Sequence, residues 1–565
     1  MWPFNSYPTI TTKELRDSYD YIIVGGGTAG CVLANRLSQT NAAVLLLERG
    51  NTKSNSQPPY CANPHTDSSL CDNINSVLQP HIGERVVPYV SPHVLGGQSK
   101  VNNLIYTRAP SIELDSWSAG GMSGWSSNDL LPYFLKSENA ISQKDNSSFH
   151  NTKEAATALG FSTITDMNDP TQSLYGVGPY AFTINEKSRR CDVASAFLPS
   201  KLVKTRQANL TICVNAIVIR LKLVTTATED VIIKGVVVEN YNDKKSQTFE
   251  VSARKEVILC AGAIGTPQLL MLSGIGPMHR LSSVGIAVEK HSPNVGSGLD
   301  SLDAMLKSIF NRMGQAIQYT FSGGSVKRPP PVLATAMVNS QMISLDSDQI
   351  IKGGFPNPNP GDPSNISDIE ITAYAFGSVD AKGNVDKDTK GSGGFSLHVK
   401  LTKPKSTGTV ELKSTNARDS PACDPNYFGN REDRRVAYTG IRLAMHLKEA
   451  MAKSGYSIID FNVPIDDSEA ELDKFIAKYG YSASQLSSTC RMGPENNGGV
   501  VNDQLELYGV AGLRIGDASV FPSSVTRPHQ ATVVAVAEKC ADTVIKAHAN
   551  PLFDTHYLPR IVRFM

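Results

Sequence analysis

The sequence predicts a mixed α/β fold, α+β overall. It has a Rossmann-like dinucleotide-binding unit at its start, and antiparallel strands with a long helix further on. Three observations carry this. An apolar run, a glycine turn, a helical stretch and a second apolar run follow one another over residues 19–49. Apolar and polar residues alternate through 395–412, the period of strands with one buried face. Apolar residues recur at helical spacing from Arg431 to Lys453.

The first unit reads YDYIIVGGGTAGCVLANRLSQTNAAVLLLER. Tyr21–Val24 has the continuous apolar character of a buried parallel strand. Gly25-Gly26-Gly27-Thr28-Ala29-Gly30 fits G-x-G-x-x-G, and Cys31–Leu37 continues with helical spacing. Val44–Leu47 forms the second strand and ends in Glu48. Gly25 and Gly27 let the backbone turn tightly and approach a pyrophosphate, and Gly30 lets helix and strand pack closely. The helix start, with Thr28 and Ala29, offers unpaired N–H groups and a partial positive charge to phosphates. Glu48 can accept hydrogen bonds from a ribose diol. A glycine turn alone is weak; strand, helix, second strand and terminal acid together point to a bound dinucleotide.

The 565 residues suggest roughly three to four domain-sized units, or two interleaved domains with large cores. With 40% hydrophobic and 19% charged residues the composition is that of a globular protein. A net charge of +1 supplies no field for nucleic acid or an acidic membrane surface, and no apolar run reaches the roughly 20 residues of a membrane helix. The expected partner is a small-molecule substrate, with the chain a monomer or homodimer. No basic n-region with an apolar core opens the chain. The compartment stays open: secretory if a leader was trimmed, otherwise cytoplasmic. Nine cysteines do not make a disulfide scaffold, although Cys61 and Cys71 flank a polar loop and could pair. Sequons stand at Asn146, Asn209 and Asn365, and no metal-ligand spacing occurs, so no metal site is expected.

Residues 50–95 are polar and irregular, the character of a lid. Residues 350–365 and 378–394 are further Gly- and Pro- or polar-rich loops. The alternation in 395–412 reads as two antiparallel strands joined by a turn.

Four more segments bear on function: VLGGQSKVNN (94–103), VILCAGAIGTPQLLMLSGIGP (257–277), STCRMGP (488–494), and the 510–547 stretch containing GDASVFPSSVTRPHQATVVAVAEKCAD. With the glycine fingerprint they resemble, in order and over nearly the whole chain, the glucose–methanol–choline (GMC) oxidoreductases. The resemblance implies a discontinuous, Rossmann-like FAD-binding domain (19–115, 200–302 and 485–550, with lid 50–95). It also implies an antiparallel-sheet substrate domain (116–199 and 303–484). By position, Gly97 and Asn102 match the loop along the flavin and Val218 the adenine contact. Asp517 and Ala518 match the turn near the pyrophosphate and ribityl chain, and Gln530 and Ala531 the pyrimidine edge. Some members tether FAD to a His in the Gly-Gly loop. The position here is Val101, so noncovalent FAD is expected.

In this family a hydride passes from substrate carbon to flavin N5 while a base takes the hydroxyl proton. The base is a His before the T-C-R-M-G phrase, partnered by a His or Asn about 43 residues later. Here the first slot holds Gln485 (Ser484 if one residue is inserted), which has no useful basicity. The ungapped second slot is Pro528, with His529 one place on. Gln485 and His529 are therefore the candidate catalytic residues, and the register of Pro528–His529 is decisive. His65, His81 and His93 could enter from the lid, and Arg108 and Arg527 could bind an anion or oxygen. The family's N-L-Q-D-H phrase is replaced by VGSGLDSLDAML (295–306). The expected activity is FAD-dependent oxidation of an alcohol-like CH–OH donor. The alternatives are a lyase, cyclase or dehydratase that keeps FAD without net redox change, and an inert FAD-stabilised binding protein.

Overall fold

A computed structural model describes residues 7–52, 70–140, 156–157, 160–186, 189–227, 231–243, 247–301, 305–307, 332–343, 362–374, 396–453 and 462–549. Ser18–Val24 lies inside an eight-stranded sheet. Val44–Leu47 and Phe249–Leu259 flank it in parallel. Leu210–Cys213 extends one side and Leu513–Ile515 pairs with the far end of Phe249–Leu259, both in parallel. Segments hundreds of residues apart thus close one layer. Ile22, Ile23, Leu45, Leu46 and Ile258 are fully buried, each worth about 1.5–3 kcal/mol of transfer free energy. The Thr28–Leu37 helix packs against the C-terminal helix, Gln530–Ala547. It begins three residues before the expected Cys31, because Gly27 serves as its N-cap.

A second, five-stranded antiparallel sheet runs Met305–Lys307, Ser396–Leu401, Ile369–Tyr374, Val332–Val338 and Gly176–Gly178. Ala336, Ile371, Val399 and Leu401 on one face share a core with Ala437, Ile441 and Leu447 of the long helix, which spans Arg431–Lys453 as expected.

Two expectations need correction. The 395–412 segment is not a hairpin. Ser396–Leu401 belongs to the five-stranded sheet, whereas Gly408–Glu411 pairs with Ser297–Ser301 and Ala422–Asp424 in another. The linker is diverted because the Asp433 carboxylate accepts from Lys405 N at 2.7 Å and Ser406 N at 2.8 Å. Nor is 50–95 wholly irregular: Cys71–Asn75 and Pro88–Pro92 form an antiparallel pair. Pro88 and Pro92 sit at the strand's two ends, where a missing N–H is tolerated.

Cys61, His65, Asn146, most of 350–365 and the 378–394 loop lie outside the described residues. Asn365 is fully buried, and the Asn209 amide donates to Thr40 O at 3.0 Å, so neither presents a free amide to a glycosylating enzyme in the folded chain. Among the described residues no helix is long and apolar enough to cross a membrane.

Candidate active site

The glycine turn and the 94–103 loop are brought together. Gly25 has φ +106°, and a Cβ there would stand 2.4 Å from Cys260 O. Gly97 has φ +51°, and its Cβ would stand 2.7 Å from Gly27 Cα, so both positions exclude a side chain. Gly96 N donates to Gly26 O at 2.7 Å, joining the two loops. The buried Glu48 carboxylate accepts from Gly26 N at 2.9 Å and Gly50 N at 2.7 Å, while burial pushes its pKa up. Ala216 N donates to Glu48 O at 2.9 Å, which sets the strand carrying Val218 beside it. No side chain caps the Thr28–Leu37 helix, so the N–H groups of Thr28, Ala29 and Gly30 lack intrahelical acceptors.

The same holds at the C-terminal helix: His529 is its N-cap residue without a side-chain cap, leaving the first-turn N–H groups of Gln530 and Ala531 available. Asn102 Nδ2 donates to Gln530 Oε1, tying the 94–103 loop to this helix start. Arg190, which no sequence motif marks, fixes that loop by donating to Asn102 Oδ1 at 2.8 Å and Asn102 O at 2.7 Å. Asp517 accepts from Gly262 N at 2.8 Å and Thr266 Oγ1 at 2.7 Å, clamping the CAGAIGTP turn. Ser488 N donates to Ala518 O at 3.2 Å and Cys490 N to Ser519 O at 2.9 Å, so the STCRM phrase lies along the DAS turn. Arg491 folds onto Asn497 O at 2.5 Å and Gly498 O at 3.0 Å and shapes its own loop.

Gln485 is half-buried, directly before Leu486–Ser487, which pairs with Asp300–Ser301 of the divergent 295–306 segment. Ser484 accepts from Val90 N at 3.3 Å, bringing the Pro88–Pro92 strand against the same place. Pro528 and His529 are both buried. The His529 ring turns back on its own loop: Nε2 is 3.0 Å from Ser524 Oγ, and the ring meets Phe521 edge-on at 5.4 Å. Burial, with the Lys400 charge adding to it, pushes its pKa down to about 3. An unfolded His takes a proton near pH 6.5. Between about pH 6.5 and 3 the unfolded chain therefore binds the extra proton, and stability falls as pH falls through that window. His529→Asn is expected to flatten this slope, by at most about 1.4 kcal/mol per pH unit. Unfolding midpoints across that pH range measure it.

Lys400 comes from the second face of the five-stranded sheet, which is polar yet buried. Its Nζ lies 3.1 Å from Glu370 Oε2, and Thr372 Oγ1 donates to Glu370 Oε1 at 2.8 Å. His398 lies 2.9 Å from Ser396 Oγ through Nε2 and 2.9 Å from Tyr481 OH through Nδ1. These residues were not among the sequence candidates. Their signal was the alternation Ser396, His398, Lys400, which reads equally as a solvent face. Lys400→Met leaves Glu370 buried without its cation and is expected to cost about 3–5 kcal/mol. Lys400→Met with Glu370→Gln should recover part of that loss in chemical denaturation.

The remaining candidates lie elsewhere or are engaged. His81 is exposed. His93 Nδ1 is 3.1 Å from Asp72 Oδ2. Arg108 is held by Glu138, with Nε donating to Oε1 at 2.7 Å. Val101 is fully buried with Leu70 and Val94.

Residues 19–301 and 404–537 match the GMC oxidoreductase family. An oxygen-dependent choline dehydrogenase of Ectopseudomonas mendocina (strain ymp) is 30% identical over 95% of this chain and 96% of that protein. Formate oxidase of Aspergillus oryzae is similar in fold, with a TM-score of 0.80 at 23% identity over 94% of this chain and 99% of that one. Pyridoxine 4-oxidase from Mesorbium loti gives 0.77 at 24% identity, over 94% and 100%. The glycine cradle, the uncapped helix starts and the buried Glu48 carboxylate fit an FAD molecule. The chain belongs to the GMC oxidoreductase family and is an FAD-dependent oxidoreductase.

Proposed function

We propose that this chain oxidises the CH–OH carbon of a small organic molecule using noncovalently held FAD, at an active site that departs from the usual pair of bases. FAD, when bound, supplies the acceptor for the hydride. Gly25, Gly27, Thr28, Ala29, Gly30 and Glu48 hold its adenosine and pyrophosphate portion with Val218, Asp517 and Ala518. Gly97, Asn102, Gln530 and Ala531 hold its ring. Val101 has no atom that could form a tether. The two main cores follow the proposed division into FAD-binding and substrate domains only in part: Trp117, Leu130, Phe134 and Leu198 pack with the first core, and Ile74 and Tyr89 with the second.

The observation that carries the reading is His529. Its ring is buried, held neutral, and set at the start of the C-terminal helix within reach of the Lys400 field. A neutral imidazole accepts a hydrogen bond from the substrate hydroxyl. Its low basicity suits it to orient the hydroxyl as a hydrogen-bond acceptor rather than to take up its proton. Gln485 orients the substrate oxygen through its amide.

Anaerobic mixing with a panel of primary and secondary alcohols tests it: loss of the oxidised-flavin absorbance supports the reading, and product formed with the flavin still oxidised sinks it. The same low basicity at Gln485 and His529 favours a second reading, a lyase or cyclase that retains FAD. Turnover without O₂ uptake or reduction of an added acceptor selects that one.

A further inference from the structure

His529 stands at the end of a short turn that is held from two sides. From within, its Nε2 lies 3.0 Å from Ser524 Oγ. From outside, Thr526 N, inside that turn, donates to both carboxylate oxygens of Glu113, at 3.2 and 3.1 Å. Glu113 lies in the first turn of the Ser111–Ala119 helix. Trp117, four residues on and so on the same helix face, meets the Phe521 ring at 5.4 Å, and Phe521 meets the His529 ring at 5.4 Å. Glu113, Trp117 and Phe521 are all buried. One helix face thus supports the imidazole twice, by a polar contact through Glu113 and an apolar one through Trp117 and Phe521.

A glutamine oxygen would also accept from Thr526 N. What the glutamate adds is a charge, and the charge is conditional. Burial pushes its pKa up to about 7, against the pull of Thr526, Arg527 and Lys403, so near neutrality the carboxyl exists in both forms. An ionised acceptor makes a hydrogen bond roughly twice as strong as a neutral one. The charges that act on Glu113 are Arg527, in the turn itself, and Lys403, just beyond the Ser396–Leu401 strand. On the helix Ser127–Ser137, packed beside it, Asp129 accepts from Ser126 Oγ and Lys136 lies 3.0 Å from Glu538. On the Pro363–Asn365 turn, also beside it, Asp362 accepts from Ser364 N at 2.8 Å.

We propose that Glu113 is the positioning residue for His529: its ionised carboxylate draws in Thr526 N and holds the 524–529 turn, and with it the imidazole, in the orientation that receives the substrate hydroxyl. Protonation of Glu113 loosens that hold. The proposal rests on the reading of His529 as the group that orients the hydroxyl, but the coupling of Glu113 to the His529 ring is measurable without turnover. His529 stays neutral down to about pH 3, so any change at its ring near pH 7 reports its support and not its own titration.

The FAD-loaded enzyme, labelled in its histidine rings, is followed by NMR from pH 5 to 9, with the His529 resonance assigned by its loss in His529→Asn. The resonance is expected to move with a midpoint near the Glu113 value of about 7 in the wild type and to stay still in Glu113→Gln. In parallel, kcat/KM for the best alcohol of the panel should rise about five- to tenfold with pH through the same midpoint, and Glu113→Gln should hold the low level throughout. A wild-type resonance that stays flat, or one that moves alike in Glu113→Gln, overturns the proposal. So does a coupled resonance beside a rate profile that is the same in both enzymes, which gives the limb to another group. If Glu113→Gln does not fold, the wild type decides: resonance and rate must share one midpoint, and separate midpoints overturn the proposal. If no alcohol reduces the flavin, the oxidation reading falls and the resonance alone decides the assignment of Glu113.

Discussion

Gly25→Ala and Gly27→Ala are both expected to lose FAD, but for different reasons that one experiment separates. At Gly25 the backbone has φ +106°, and the new Cβ would meet Cys260 O at 2.4 Å and Cys260 C at 2.7 Å. Cys260 cannot retreat, because its N–H donates to Val24 O at 2.7 Å as the parallel pairing ends. The turn itself must move, and it takes with it the Gly26 N–H on Glu48 and the start of the first helix. Strain of this kind is about 1–3 kcal/mol before any clash, so both stability and FAD affinity should drop, the affinity by about tenfold or more. Gly27 is different. It is an extended N-cap with φ −79°, and a Cβ there finds only Cys260 O at 3.9 Å. The fold has room for alanine; on the proposed reading the cofactor does not. Gly27→Ala should keep the thermal midpoint of the FAD-free chain and still purify with little flavin. Full flavin content in that variant would show that Gly27 does not face the pyrophosphate.

The glycine cradle was legible because its signals are local. A strand, a turn needing positive φ, a helix and a second strand lie within about thirty residues, and each reads by its own period. Val44–Leu47 and the Arg431–Lys453 helix came out at the expected bounds for the same reason. What failed was partnership. Residues 396–411 alternate as two strands should, but alternation does not say which sheet a strand joins. The choice is made by Asp433, which captures Lys405 and Ser406 from the start of a helix more than twenty residues on. The polar sheet face was invisible for a related reason. Ser396, His398 and Lys400 alternate as a wet face would, and the ion pair with Glu370 and the contacts of His398 with Ser396 and Tyr481 make burial tolerable. Gln485 was found by counting back from a motif, which locates a slot without saying what surrounds it.

That surrounding decides the second large effect. His529→Ala is expected to lower kcat/KM by about 10²–10⁴, the usual loss when a group that handles the substrate proton is removed. Gln485→Ala removes one orienting hydrogen bond, worth about 1–3 kcal/mol if its partner is left unpaired, and should lower kcat/KM by about five- to 150-fold. If both act on the same hydroxyl oxygen, the double variant should lose less than the product of the two single losses. Since His529 is held neutral down to about pH 3, the wild-type rate should show no acid limb from this group between pH 5 and 8. The control is His398→Ala, because His398 is the other buried imidazole on the facing sheet, bridged between Ser396 and Tyr481. A His529→Ala enzyme that keeps nearly full rate and full flavin, beside an inactive His398→Ala enzyme, would move proton handling from the helix start to the sheet. The reverse pattern places it at His529, in a geometry where the ring leans on Ser524 while burial, with Lys400 adding to it, keeps it uncharged.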